Sequence, residues 1–312
     1  MLPGELEPTP TTFAVAIPTH NRRETVVLAA LSALRQTRPP EQLLVLCDGC
    51  TDGTGDAIRG LGDARAIVVE LPKGSGFAYE HRNRAFELTT ADVILWLADD
   101  DLLLPDHLEQ LGRLWDTGTV DIVTSPAIIV HPDDTLEWIG ADWSLPSARA
   151  WMQRENTNVM ASVSVRTQLA RDVGGWDPAP QRGGDWHLWR RVLATGARAA
   201  DTGEPTVLHF RATGRVQLWP DRVVQNTRWL ERISAPSPPL ELRNALRQAR
   251  AAREATLIEA VAPLRETVAN LEARQAELER SRWWRLGEKL RPAWRTMRRF
   301  LWKDGTGREH RG

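Results

Sequence analysis

Three consecutive carboxylates, Asp99-Asp100-Asp101, close the apolar run Val93-Ile-Leu-Trp-Leu97. Side by side they repel one another and destabilise the chain unless positive charge sits among them. A divalent cation is the usual answer. Hard oxygen ligands with no nearby Cys/His pair favour Mg²⁺ or Mn²⁺, and Mg²⁺ normally shares its shell with substrate phosphates. Taken alone, the triplet reads better as a solvated acidic loop capping a helix that starts near Pro105. Two other polar stretches follow apolar runs in the same way: Pro18-Thr19-His20-Asn21-Arg22, and Asp48-Gly-Cys-Thr-Asp52. Asp185 comes after Gly183-Gly184 and opens an amphipathic stretch with Leu188, Trp189, Val192 and Leu193. It can serve as the N-cap of that helix or as a general base, and one residue can do both.

The elements around these residues decide between the readings. Residues 13–17, 43–46, 66–69 and 93–97 read as buried strands, and 122–130 as another. Helical spacing marks 24–35, 77–88 and 108–115. Strand–helix alternation with short connections predicts a parallel sheet covered by helices on both faces. In such sheets ligands bind at the carboxyl ends of the strands. The three polar loops after Ile17, Leu46 and Leu97 then share one edge, and there the metal reading of the aspartates overtakes the loop reading. Residues 131–220 are less regular and rich in Trp, which predicts a second wall of a cleft.

Composition excludes several classes. Forty Lys+Arg against 41 Asp+Glu leave the 312-residue chain at −1, which argues against nucleic acid as a partner. No stretch approaches 18 consecutive apolar residues, so no transmembrane helix is expected. The opening MLPGELEPTP lacks the basic and apolar segments of a signal peptide, so the expected location is cytoplasmic. Cys47 and Cys50 form a Cys-x-x-Cys without the second ligand pair that zinc needs, which predicts two reduced thiols.

Taken in order, the motifs resemble the family 2 glycosyltransferases of the GT-A fold, over roughly residues 11–215. Ile17-Pro-Thr-His-Asn-Arg22 is similar to the family's first nucleotide-binding strand end, and Cys47-Asp48-Gly-Cys-Thr-Asp52 to its Asp-Asp-Gly-Ser-x-Asp loop. The stretch from Gly74 through Gly76 to Arg82-Asn83 resembles its Gly…Arg-Asn segment, and Asp99-Asp100-Asp101 its Asp-x-Asp. Gly174-Gly-Trp-Asp177 and Gly184-Asp185-Trp186 resemble its acceptor-side loop and the acidic pair carrying the base. The resemblance implies an α/β, mostly parallel sheet flanked by helices, of the nucleotide-diphospho-sugar transferase type, with a C-terminal helical or coiled-coil extension. It implies a metal-dependent, inverting transfer from a nucleotide diphosphate sugar, a UDP-sugar first, to a hydroxyl of a glycan, lipid-linked or small-molecule acceptor. Pro18, Thr19, Asn21, Arg22, Asp48, Gly76, Arg82 and Asp99 would bind the nucleotide. Asp100, Asp101 and His209 would hold Mg²⁺ or Mn²⁺, Asp185 would be the base, and Trp176, Asp177 and Trp186 would face the acceptor. Cys47 and Ala98 depart from the family pattern and leave ligand order open. They also keep alive a degenerate domain acting as an assembly subunit. A nucleotidyltransferase is a further alternative, but Pro18-Thr-His-Asn supplies no Gly-rich basic loop.

The expected organisation is a catalytic domain over 1–232, a Pro-rich linker over 233–242, a helical segment over 243–280 and a basic tail over 281–312. Leu257, Val261, Leu264, Val268, Leu271 and Leu278 follow heptad spacing, which predicts either a homo-oligomeric coiled coil within 250–280 or a helix docked on the catalytic domain. In 281–312, ten basic residues face three acidic ones, and Trp283, Leu286, Leu290, Trp294, Met297 and Leu301 share a stripe. That pattern predicts peripheral contact with an anionic membrane surface, or an acidic protein partner.

Overall fold

β1 (Phe13–Thr19) shows how the sequence builds the centre of the molecule. It is a run of apolar residues with no polar face, as a strand covered on both sides requires. Phe13, Val15 and Ile17 enter one core and Ala14 and Ala16 the other. The small alanines leave room on their side for Trp96, Trp176 and Trp189, all essentially inaccessible to solvent. The computed structural model describes residues 9–179, 182–211, 219–234 and 240–280. Two units are distinguished, Met1–Ala251 and Ala252–Gly312.

β1 pairs in parallel with β2 (Gln42–Asp48) and β4 (Val93–Trp96), and β3 (Ala66–Leu71) lies parallel outside β2. The register sets Thr19 against Cys47 and Ala16 against Trp96, so the three loops leave from one edge. Beyond β4 the sheet continues through β9 (Val163–Arg166), β6 (Ile122–Thr124) and β10 (Ala199–Asp201), with β9 antiparallel to both neighbours. Strand order therefore turns at β1, with β2 and β3 on one side and β4 on the other, the position where α/β sheets open a crevice. Helices α1 (Arg23–Leu34), α2 (Thr54–Arg59), α3 (Tyr79–Leu88) and α4 (His107–Trp115) follow the strands as the alternation requires. The sequence gives no strong periodic signal for α2, which is only six residues long.

One expected strand is corrected. Residues 122–130 form β6 and a separate β7 (Ala127–Val130) in different sheets. Pro126 lies between them and has no N–H for a ladder. β7 joins a second sheet with β5 (Leu102–Leu103), β8 (Leu136–Ile139) and β11 (Val207–Phe210), in the order β5-β11-β7-β8. Helix α8 (Trp219–Ile233) covers it, with Trp229, Leu230 and Ile233 packed among Leu102, Ile128, Val130, Leu208 and Phe210. The stretch of chain between β8 and β11 forms α5 (Pro146–Met152), α6 (Thr167–Asp172) and α7 (Gly184–Ala194).

Helix α9 (Leu240–Arg280) reaches from the first unit into the second. In the second unit Val261, Leu264, Val268 and Leu271 are exposed. Residues 235–239 of the expected linker and the whole segment 281–312 lie outside the described residues, and residues 240–242 of that linker already belong to α9. No described helix is long and apolar enough to cross a membrane.

Candidate functional site

A cavity of about 410 Å³ opens at the carboxyl edge of β1, β2 and β4, lined by residues of all three loops and of the β3–α3 connection. Pro18, Thr19, Arg22, Asp48, Gly76, Arg82, Asp99 and Asp100 lie on its wall. Asn21, expected there as well, is not on it. At φ 51 its side chain turns to the β2 loop, where Oδ1 accepts the Thr51 amide at 2.7 Å. It ties two loops together instead of facing a ligand. Asp52 also serves the loop structure. Its carboxylate accepts the Arg23 amide at 3.1 Å and the Thr54 amide at 3.0 Å, satisfying N–H groups at the starts of α1 and α2.

Asp48 is held from three directions. Oδ1 accepts the Gly74 amide at 2.6 Å and His81 Nδ1 at 3.0 Å, and Oδ2 accepts Lys73 Nζ. Burial pushes its pKa up, but the Gly74 amide, Lys73 and His81 outweigh it and hold the carboxyl below the usual range. The approach is close because Gly49, at φ 64, has no side chain; a Cβ there would lie 2.8 to 2.9 Å from Lys73. His20 Nδ1 donates to the Asp48 carbonyl at 2.6 Å. Lys73, His81 and His20 escaped sequence reasoning. His81 had a signal in its position beside Arg82, whereas Lys73 had none.

The acidic loop splits by function. Asp99 accepts Arg22 Nη1 at 2.7 Å, and Asp100 lies 3.8 Å from the same nitrogen. Burial, Asp101 and Asp99 together push Asp100 up to about 7, against the pull of Arg22 and Arg222. Burial likewise raises Asp99, opposed by Arg22. Asp101 is not on the cavity wall: it is 2% exposed, and its oxygens accept His209 Nδ1 at 3.0 and 3.1 Å and the Phe210 amide at 3.1 Å. The antiparallel register of β5 on β11, with Leu102 facing Leu208, puts Asp101 opposite His209. From α8, Asn226 Nδ2 donates to the Asp100 carbonyl at 2.9 Å and Arg222 to that of Phe210 at 2.5 Å. Among the described residues no three His, Cys, Asp or Glu side chains converge on one point as a metal cage. The donor set nevertheless fits a hard divalent cation: crowded carboxylates with one imidazole beside them, and Mg²⁺ takes one or two carboxylates plus substrate phosphates in preference to an all-protein cage.

Arg82 stands across the cavity. Its Cζ lies 4.7 Å from the Trp176 ring centroid and 5.2 Å from that of Tyr79, and Nη1 donates to Met160 Sδ at 3.2 Å. Its Nε is buried without a hydrogen-bond partner. Burial lowers its pKa, opposed by the carboxylates of Asp185, Asp99 and Asp48. A guanidinium held on aromatic faces, with a nitrogen left over at a cavity, is built to meet an anion. Asn83 beside it exchanges two hydrogen bonds with the Trp176 backbone, at 2.8 and 2.9 Å.

Asp185 is not on the cavity wall; it is half-buried in the first turn of α7, whose N-cap is Gly183 at φ 67, and the N-cap role expected for Asp185 is corrected. Asn156 Nδ2 donates to its Oδ2 at 2.9 Å, a partner that sequence reasoning did not identify. Trp176 is corrected too: at 1% exposure it stacks on Tyr79 and meets Trp96 edge-on, so it is core and offers no face to an acceptor. Trp186 is half-buried, its Nε1 donating to the Met152 carbonyl at 2.6 Å, and Asp177 accepts the Ala179 amide at 2.9 Å. Cys47 and Cys50 are both free thiols.

Comparison with known proteins gives consistent matches. Residues 14–171 match the profile of the family described as Glycosyl transferase family 2. The chain is 32% identical over 178 residues to the "Putative teichuronic acid biosynthesis glycosyltransferase TuaG" of Bacillus subtilis, covering 52% of this chain and 69% of that protein. It is 24% identical over 188 residues to an uncharacterized glycosyltransferase of Nostoc sp., covering 57% of this chain and 56% of that one. The crystal structure of S. aureus TarS 1-349 with UDP-GlcNAc superimposes with a TM-score of 0.54 at 18% identity, over 76% of this chain and 71% of that one. Against the longer TarS chain the TM-score is 0.52 at 17% identity, and the match spans 42% of its length. At these identities the TarS likeness is one of fold. Asp185 and His209 both lie beyond the profile match.

Proposed function

The chain belongs to glycosyl transferase family 2, and on that premise we propose that it transfers a sugar from a UDP-sugar to an acceptor hydroxyl with inversion, in cell-surface polysaccharide or glycoconjugate assembly. The observation that carries this reading is one cavity with Asp48, Arg82 and Asp99-Asp100 on its wall. The TarS structures with UDP-GlcNAc and with UDP support a uridine donor, and the naming of TuaG for teichuronic acid biosynthesis supports the polymer context.

Each residue then has its own part. Asp48 accepts an N–H of the base, and Arg82 sets positive charge against the diphosphate, whose negative charge grows as the sugar leaves. Asp185 takes the proton of the attacking hydroxyl. One base suffices for a single in-line displacement, which inverts the anomeric carbon, and such a base contributes about 10²–10⁴-fold. Asp100, Asp101 and His209 would hold Mg²⁺ or Mn²⁺, and the ion would supply further counter-charge to the diphosphate. Asp177 and Trp186 are assigned to the acceptor. A second copy pairing along Val261, Leu264, Val268 and Leu271 belongs to the same proposal, as does contact of 281–312 with an anionic membrane; deleting 281–312 should abolish flotation with anionic liposomes.

The test is a screen of UDP-, dTDP- and GDP-sugars for nucleotide release by the full chain with Mn²⁺, Mg²⁺ or EDTA. Release from a UDP-sugar that EDTA stops is the expected result. Asp185→Asn should lower it by about 10²–10⁴-fold with UDP binding intact. No turnover of any donor points to the assembly-subunit alternative, and full turnover by Asp185→Asn removes the base assignment.

A further inference from the structure

Donor-side and acceptor-side residues of the cleft lie on different elements, Arg82 on α3 and Asp185 on α7. Their separation therefore depends on what joins the two helices. One side chain touches both. Tyr79, the first residue of α3, is 5% exposed, and its hydroxyl accepts the backbone N–H of Gly184 at 3.1 Å. Gly184 is the residue before Asp185, and its N–H is one of those that a helix start leaves without an internal partner. The contact is tight: a Cβ on Gly184 would lie 2.5 Å from Tyr79 Cζ and 2.6 Å from Cε1. The same ring stacks on Trp176, with centroids 5.6 Å apart and 11° between planes, and Arg82 Cζ lies 5.2 Å from its centroid.

We infer that Tyr79 is a positioning residue that sets the distance between Arg82 and Asp185, its ring supporting the guanidinium and its hydroxyl fixing the start of the helix that carries the carboxylate. The inference rests on Asp185 being the base. The two ends of Tyr79 separate chemically. The ring acts on donor binding, because Arg82 meets the diphosphate before and during transfer. The hydroxyl acts on the proton-accepting side, so its loss lets Asp185 drift from the attacking oxygen without disturbing the nucleotide. Displacement of a reacting group by about 1 Å can cost on the order of 10²-fold. One lost hydrogen bond that leaves the ring in place should cost less, on the order of 10-fold.

Tyr79→Phe in the full chain is therefore expected to lower kcat on the order of 10-fold with donor KM and UDP affinity unchanged, using the UDP-sugar that the wild-type chain releases fastest. Amide exchange at Gly184 should quicken in the same variant. Gly184→Ala, which pushes on the ring from the other side, should reproduce the kcat loss. Tyr79→Leu removes the ring as well and should also weaken UDP binding. Wild-type kcat in Tyr79→Phe, or a loss in UDP affinity that accounts for the whole effect, would overturn the inference. Asp185→Asn run in parallel keeps the two readings apart. If it retains turnover, the base assignment fails; if it is inactive while Tyr79→Phe is normal, only the role of Tyr79 fails.

Discussion

Asp48 illustrates how single residues in this cleft take their properties from partners far along the chain. Its carboxylate meets Lys73, the Gly74 amide and His81, 25 to 33 residues away. It stays ionised and fixed, which suits an acceptor aimed at the N–H of a base. Asp48→Ala should weaken UDP binding by roughly 10- to 10²-fold, since a hydrogen bond to a charged group is worth about 1.5–3 kcal/mol. Titration calorimetry with UDP and Mn²⁺ measures this directly, and unchanged affinity would remove Asp48 from the base site. Trp176 gives the opposite lesson. Its loop pointed to the acceptor, but an aromatic residue after two glycines can turn either way, and here the stack with Tyr79 draws it inward.

Among elements, the short β5 and its partner β11 tie the acidic loop to a part of the chain about 100 residues later. His107, at the start of α4, belongs to the same junction: its Nδ1 lies 2.6 Å from Thr206 Oγ1, it is 1% exposed, and burial lowers its pKa to about 3. In the unfolded chain a histidine titrates near 6.5. Between these values the unfolded state binds the extra proton, so stability is complete above about pH 6.5 and falls as pH drops toward 3. The loss should reach on the order of 2 kcal/mol by about pH 4.5. Urea midpoints from about pH 7 to 4.5 should fall less steeply for His107→Asn than for the wild type; parallel slopes would mean that His107 is not the group responsible. Pro126 acts at this scale too, since its missing N–H divides what the apolar pattern alone presents as one strand.

Across the whole molecule, the formal charge of −1 averages unlike parts: 1–280 carries −8 and 281–312 carries +7. The heptad stripe shortly before the basic segment has Val261 and Val268 at one repeat position and Leu264 and Leu271 at the other. Valine and leucine in that alternation favour two parallel strands, and all four side chains are exposed in the second unit. Light scattering should therefore find the full chain dimeric. Leu264→Glu with Leu271→Glu should make it monomeric while leaving UDP binding intact. A monomeric wild type, or a double variant that stays dimeric, rules out this pairing.

The sequence by itself determined the parallel strands β1 to β4, the edge at which their loops meet and the carboxylates that the edge presents. These follow from local rules: apolar periodicity, breaking residues, and the fixed hand of strand–helix–strand connections. It also made the family resemblance legible over the motifs from Ile17 to Trp186. Only the tertiary structure decided which aspartate faces the cavity, that Asp101 pairs with His209, that Lys73 and His81 hold Asp48, and that Tyr79 reaches Gly184. Each of these contacts joins residues tens to more than a hundred positions apart. Their geometry comes from how sheets and helices pack, and that packing leaves no periodic trace in the chain.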